Sequence, residues 1–134
     1  MGIYRIDHHT CFIRACDLGL AGVVVHANRI RPISEWKHLS PLTEREKVVS
    51  CLLNVINGKD LSSSTWIGLE NMPIMDNAGD LIDPSFVFID DFNLLKGTGV
   101  GVTWDMCHYL NTLETVKEVL AGNQPMTDYP NLQY

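Results

Sequence analysis

Three short apolar segments, each followed by a polar side chain, restrict most strongly what this 134-residue chain can fold into. The first contains the β-branched run Val23-Val24-Val25, which lacks the apolar–polar alternation of a half-exposed strand. The second spans about residues 65–70 and the third about residues 99–104. Because such continuous apolar strands are typical of parallel sheets covered on both faces, the sequence predicts an α/β fold.

Segments with helical periodicity alternate with these strands. We expect helices over about 9–18, from Thr43 to near Gly58, from Asp83-Pro84 to near Gly97, and from Thr112 to Gly122. The second opens with a capping-box pattern, and the third has proline at its first helical position. Residues 27–42 are expected to be a loop, 76–80 a turn and 123–134 an irregular tail. The order predicts βαβ units in one domain spanning residues 1–134.

Each predicted strand ends in a side chain that can bind a metal ion. These side chains are His26, Glu70 and Asp105, and His108 follows three residues after the last of them. The carboxyl ends of parallel strands lie along one edge of the sheet, where the sites of α/β proteins gather. Imidazole and carboxylate groups together suit zinc, manganese or iron. The sequence therefore predicts a divalent-metal site at this edge.

The segments LGLAGVVVHAN, WIGLENMP and GVTWDMCHYL resemble three strand-end motifs of the xylose-isomerase-like TIM-barrel superfamily. That superfamily includes sugar-phosphate isomerases and epimerases and apurinic endonucleases of the endonuclease IV type. The resemblance covers about residues 10–122, and its most specific part is Asp105-x-x-His108. It departs from the family at residues 26–28, which read His-Ala-Asn where His-Pro-Gly is common.

The resemblance implies a partial TIM barrel of about three βα units, because a full (β/α)8 barrel takes roughly 250 residues. We expect the chain to be the middle part of such a barrel, either a fragment or a truncated product. The family's later histidine and glutamate strands would then fall after Tyr134. Self-association through exposed sheet edges is a further expectation.

The resemblance also assigns roles to the predicted site residues. Glu70 and Asp105 would bind zinc or manganese, and Glu70 would also move a proton beside a sugar carbonyl. His26 would be a metal ligand in the endonuclease branch and would line the substrate pocket in the epimerase branch. His108 would bind a further zinc ion in the endonucleases, and would contact substrate hydroxyls as a catalytic residue in the epimerases. We therefore predict a metal-dependent sugar or sugar-phosphate isomerase or epimerase. A zinc-dependent apurinic endonuclease and an inactive truncated barrel are the alternatives.

Four more residues are predicted to serve substrate binding. Arg29 and Arg31 cluster in the segment NRIRPISEWK and could anchor a phosphate group, although solvated surface is the simpler interpretation. Asn71 would orient Glu70 or contact the substrate, and Trp36 would stack on a sugar face.

Composition narrows the predicted partners and location. The net charge of −6 makes nucleic acid a weaker partner than a small sugar or sugar phosphate. We predict no membrane association and a cytoplasmic location, because no apolar run approaches the ~20 residues of a membrane span and no signal-peptide pattern opens the chain. The four cysteines form no Cys-x-x-Cys pair and are expected to be reduced thiols.

Overall fold

The computed structural model describes residues 8–57, 65–74 and 81–132. The turn expected at 76–80 and the helix end expected at Gly58 therefore lie outside the described residues. The α-helices and strands are, in chain order, α1 (His8–Asp17), β1 (Gly22–Val25), β2 (Arg31–Pro32), α2 (Ile33–Trp36), α3 (Pro41–Asn57), β3 (Trp66–Glu70), β4 (Leu81–Ile82), β5 (Gly101–Thr103) and α4 (Met106–Leu120). A 3-10 helix spans Ile89–Leu95, and two short ones span Met126–Asp128 and Pro130–Leu132.

The three predicted strands form one parallel sheet in the order β1-β3-β5. Val25 lies beside Leu69, and Glu70 lies beside Thr103, so the carboxyl ends of the strands share one edge. The predicted α/β fold with a parallel sheet is confirmed. Within the described residues, β1 and β5 are the outer strands, and β2 and β4 form a separate antiparallel pair.

Helices cover one face of the sheet. Leu69 of the central strand is fully buried in a cluster that contains Phe12 of α1, Leu52 of α3 and Phe92 of the 3-10 helix. On the other face, the side chain of Trp66 is 51% exposed, and its ring lies over Gly22 so closely that an added Cβ would be 2.0 Å away. The expectation that both faces are covered is therefore wrong for the described residues.

A second, smaller core lies away from the sheet. Its buried residues come from α2, the β4 region, α4 and the C-terminal segment, and are Trp36, Ile74, Ile82, Val87, Val119 and Tyr129. Tyr129 lies between the last two 3-10 helices, and its burial fixes the expected irregular tail to the domain.

The predicted helix starts were displaced by side chains that bond to the backbone. Helix α3 begins at Pro41 rather than Thr43, because the Ser40 hydroxyl accepts the Thr43 N–H at 3.4 Å and proline suits the first helical position. No helix begins at Asp83-Pro84; the Asp83 carboxylate instead accepts the backbone N–H groups of Arg29 and Ser85. The region expected to be a loop, 27–42, contains β2, α2 and the start of α3.

Helix α4 begins six residues before the predicted start at Thr112. The Asp105 side chain caps its first turn, while Thr112 is buried and its hydroxyl accepts the Ile74 N–H at 3.1 Å. Among the described residues, no helix has both the length and the apolarity to cross a membrane.

Candidate metal site at the carboxyl edge of the sheet

Three of the predicted residues converge where β3 and β5 end. Glu70 is the last residue of β3, Asp105 follows β5 by two residues, and His108 lies in the first turn of α4. One ligand atom from each lies within 4.8 Å of the others, which is close enough for a single ion to contact all three. The predicted meeting of these side chains at one edge is therefore observed.

Asp105 ends the short segment that connects β5 to α4, and it is the N-cap of α4. Its Oδ1 accepts the Cys107 N–H at 2.6 Å and the His108 N–H at 3.0 Å. The pKa of this carboxyl is lowered, and the main cause is the hydrogen bond from the His108 backbone N–H. Partial desolvation acts in the opposite direction, and the hydrogen bond from the Cys107 N–H lowers the pKa further. The carboxylate is thus stabilised in its charged form by the helix itself, which keeps it anionic beside Glu70.

The backbone fixes the His108 ring. Its Nδ1 lies 2.7 Å from the Asn71 carbonyl oxygen and 3.5 Å from Glu70 Oε1. Because a carbonyl can only accept, Nδ1 carries the proton of this hydrogen bond and Nε2 keeps its lone pair in the neutral ring. Histidines that bind metals usually donate their other N–H to a carbonyl or carboxylate in this way.

His26 contacts the cluster from the side of β1. Its Nε2 lies 3.0 Å from Glu70 Oε2, and its ring centroid lies 6.2 Å from that of His108. The three-residue cluster does not include His26. Glu70 therefore presents one carboxylate oxygen to each of two imidazole rings.

Asn71 positions the site rather than facing a ligand. Its side chain is fully buried; Nδ2 donates to the Asp105 carbonyl at 3.0 Å, and Oδ1 accepts the Asp105 N–H. These two bonds join the end of β3 to the residue that caps α4. The side-chain bonds of Asn71 thus go to Asp105, whereas the roles predicted for Asn71 were to orient Glu70 or to contact the substrate.

The other predicted substrate residues are not members of the three-residue cluster. Trp36 is 0% exposed, and its indole N–H donates to the Ile82 carbonyl at 2.9 Å, so the ring is not available to stack on a sugar. Arg29 and Arg31 both approach the buried carboxylate of Glu44 at the start of α3. Glu44 is a residue that sequence reasoning missed, since nothing in the sequence links it to an arginine 15 positions earlier.

Comparison of the chain with protein-family models, with curated proteins and with solved structures gives no match. The resemblance of the three strand-end motifs to the xylose-isomerase-like superfamily therefore stays a prediction. What the chain does must be inferred from the geometry of its own residues.

Proposed function

We propose that the chain binds a divalent metal ion, zinc or manganese, and isomerises or epimerises a sugar or sugar phosphate. Glu70, Asp105 and His108 would hold the ion. The observation that supports this proposal is their convergence, with ligand atoms from all three within 4.8 Å of one another.

The donor set fits such an ion. Two carboxylates and one imidazole are common ligands of zinc and manganese in open, reactive sites. The pKa of Asp105 is lowered, first by its backbone donors and also by a side-chain hydrogen bond with Glu70, so this proposed ligand is held in its charged form. A charged carboxylate is the form that binds a cation.

The protein's own groups supply the proposed acid–base chemistry. A bound divalent ion would polarise a substrate carbonyl or hydroxyl oxygen. Glu70 would take a proton from the carbon beside the carbonyl and return it to the former carbonyl carbon, and His26, 3.0 Å from Glu70 Oε2, would stabilise the carboxylate before the first transfer and after the second. His108 would hydrogen-bond a substrate hydroxyl when it is not occupied as a ligand. We also propose that the three-stranded parallel sheet is part of a TIM barrel.

One observation favours a second function, a zinc-dependent phosphodiesterase of the apurinic-endonuclease kind. The two oxygens of Glu70 face different imidazoles, at 3.0 Å for His26 and 3.5 Å for His108. A carboxylate placed in this way could bridge two ions, as two-metal phosphodiesterases require. The number of bound ions separates the two functions.

Metal titration tests the shared site. Isothermal titration calorimetry with zinc and with manganese should show binding to the natural protein and at least about 100-fold weaker binding to Glu70→Gln, because even residues behind the ligands change affinity 10- to 100-fold. Glu114→Gln removes the same charge from an exposed position on α4 and should bind normally. Equal affinity of all three proteins would refute the site.

Activity then distinguishes the chemistries. One ion per chain, together with proton exchange into a ketose or a ketose phosphate, supports the isomerase. Two or more zinc ions per chain, together with cleavage of DNA at abasic sites, supports the phosphodiesterase.

A further inference from the structure

The segment that follows β1 brings His26 to Glu70 through a backbone conformation that few residue types adopt. Strand β1 ends at Val25, and three residues later Asn28 has a φ of 51°, in the left-handed region. Of the non-glycine residues that the structure describes, Asn28 alone has a positive φ. Because a Cβ atom disfavours this region and asparagine is one of the few residue types that tolerate it, the residue at position 28 influences the path of the chain.

The backbone on both sides of Asn28 is held by buried contacts. Ala27 is 7% exposed and packs in the main core. The Arg29 N–H donates to Asp83 Oδ2 at 2.9 Å, and Asp83 is 2% exposed. The Arg29 guanidinium pairs with the buried carboxylate of Glu44. Both the main chain and the side chain of Arg29 therefore anchor the segment, and the left-handed turn joins this anchor to the core.

The His26 side chain has space into which it could turn away from Glu70. It is 44% exposed. A cavity of about 120 Å³ lies beside it, lined by His26, Ala27, Arg29, Lys47, Val48 and Leu52. At about 30 Å³ for each water molecule, this cavity has room for about four waters. Packing around the ring therefore does not by itself hold His26 against Glu70, and the direction of the backbone has to do so.

We propose that Asn28 is the positioning residue of His26. Its left-handed backbone turns the chain between Ala27 and Arg29, whose contacts hold the two ends of the turn. This turn directs the His26 ring to Glu70, where Nε2 lies 3.0 Å from Oε2. Because an ionised carboxylate can only accept, Nε2 carries the proton of this hydrogen bond. That the contact serves proton transfer rests on the proposed function; the positioning of His26 does not.

Two substitutions at position 28 isolate the backbone conformation. Asn28→Gly and Asn28→Ala both remove the side-chain amide, and the side chain is exposed, so the core stays intact in both. Glycine adopts the left-handed region readily, whereas alanine does so at a cost equivalent to a factor of about 5–30 in an equilibrium constant. The difference between the two variants is therefore the strain in the turn.

Gly122→Ala is the matched control. Gly122 has a φ of 78°, and an added Cβ would meet no other atom within 4 Å, so alanine there introduces the same strain without a clash. The residue follows the C-terminal end of α4, whereas His108 lies in the first turn of that helix. Any effect that both alanine variants share is a general loss of stability.

Amide hydrogen exchange of the metal-free protein measures the closing of the turn. The Arg29 amide, which donates to Asp83, should exchange about 5–30 times faster in Asn28→Ala than in Asn28→Gly. Gly122→Ala should leave the rate at Arg29 unchanged. Equal acceleration by the two alanine variants, or equal rates in the two variants of Asn28, would overturn the proposal.

A second measurement follows the His26 ring itself. The ring centroids of His26 and His108 lie 6.2 Å apart, which brings their ring protons close enough for a nuclear Overhauser effect. This signal should persist in Asn28→Gly and Gly122→Ala and should weaken in Asn28→Ala. An unchanged signal in Asn28→Ala would show that other contacts hold the imidazole, and would refute the positioning role.

Activity links the turn to the proposed proton transfer. Asn28→Ala should slow proton exchange into a ketose by no more than His26→Ala does, and Asn28→Gly should keep the natural rate. In a His26→Ala background, Asn28→Ala should have no further effect, because the side chain that it positions is gone. A loss by the same factor in both backgrounds would show that Asn28 acts independently of His26 and would contradict the inference.

Failure of this inference can be told apart from failure of the proposed function, because the exchange and ring measurements need neither metal nor substrate. A natural protein that binds no metal, with faster Arg29 exchange and a weaker ring signal in Asn28→Ala, would refute the metal centre and leave the positioning role standing. Metal binding and proton exchange in the natural protein, with equal Arg29 rates in the two variants of Asn28, would do the reverse.

Discussion

Replacing Asn71 with alanine should damage both stability and metal binding, because this side chain ties two parts of the site together. Asn71 is fully buried, and its amide donates to the carbonyl of Asp105 and accepts the N–H of the same residue. Alanine would leave the Asp105 N–H without its acceptor, whereas the Asp105 carbonyl would still accept the Tyr109 N–H at 3.1 Å. At about 1–3 kcal/mol for one buried group left unsatisfied, we expect a loss of about 1–3 kcal/mol.

The corresponding change in melting temperature can be calculated from the chain length. An unfolding entropy of roughly 2.1 cal/mol/K per residue gives roughly 280 cal/mol/K for 134 residues, so each 1 kcal/mol lowers the melting temperature by about 3.5 °C. Asn71→Ala should therefore melt about 4–11 °C below the natural protein. Its zinc affinity at a temperature where it is folded should fall about 10- to 100-fold, the range found for residues that orient metal ligands.

The assay pairs metal-free thermal melts with zinc titration against a competing chelator. Asn111→Ala is the control, since Asn111 is exposed on α4 and alanine is the better helix former, so that variant should melt at the same or a slightly higher temperature. A destabilised Asn71→Ala that binds zinc with unchanged affinity would show that the Asn71 bridge supports the fold but does not position the site.

The remaining predictions separate capping, charge and packing. Asp105→Asn keeps an N-cap side chain and should melt close to the natural protein in metal-free buffer, while binding zinc at least about 100-fold more weakly. Because the folded pKa of Asp105 lies below its ordinary 3.8, its stabilising effect is present above pH 3.8 and is lost as the pH falls through the folded pKa. The small melting advantage of the natural protein over Asp105→Asn at neutral pH should thus disappear as the pH falls below 3.8, and an unchanged difference would refute the assigned charge effect. Trp36→Phe removes the indole donor of the Ile82 carbonyl and should cost about 1–3 kcal/mol in chemical denaturation without changing zinc affinity. Ser40→Ala should cost about 1 kcal/mol through loss of the α3 cap, whereas Ser50→Ala, at an exposed mid-helix position, should be neutral or stabilising; the reverse order would contradict the observed start of α3.

The parallel sheet could be predicted because its signal is local. The run Val23–Val25 and the segment that ends at Glu70 are apolar and β-branched over short spans, and each is followed by a long connection. Because the strands are parallel, their carboxyl ends must lie along one edge of the sheet, so the proximity of Glu70 and Asp105 could also be predicted. Which faces of the sheet are covered could not be predicted, because the exposure of Trp66 depends on which elements pack on each face.

Asp105 was recognised as a candidate ligand, but its capping role was not predicted. An aspartate three residues before a histidine fits both a ligand motif and an N-cap, and the sequence does not choose between them. The helix start was misplaced at Thr112 because that residue type also favours caps, whereas here its hydroxyl is used by Ile74. Both errors arise because short polar side chains bond to whichever backbone N–H the tertiary fold brings near.

The partners of Arg29 and Arg31 could not be predicted from the sequence either. Arg29 and Arg31 suggested a phosphate anchor by their spacing, but the sequence could not show that Glu44 orients them or that Lys47 joins them. Only the tertiary fold brings Arg29 and Lys47 to the cavity that His26 also lines.

The two roles of Asp105 are compatible because they use different lone pairs. Both capping bonds are accepted by Oδ1, which leaves Oδ2 for a cation. The amide donors lower the pKa of the carboxyl, so the proposed ligand would already be charged before an ion arrives, and no proton would have to leave. The same amides also withdraw electron density from the carboxylate, which weakens it as a donor. A carboxylate held in this way would favour exchangeable binding of an ion over tight structural binding, which is what the proposed reaction would require.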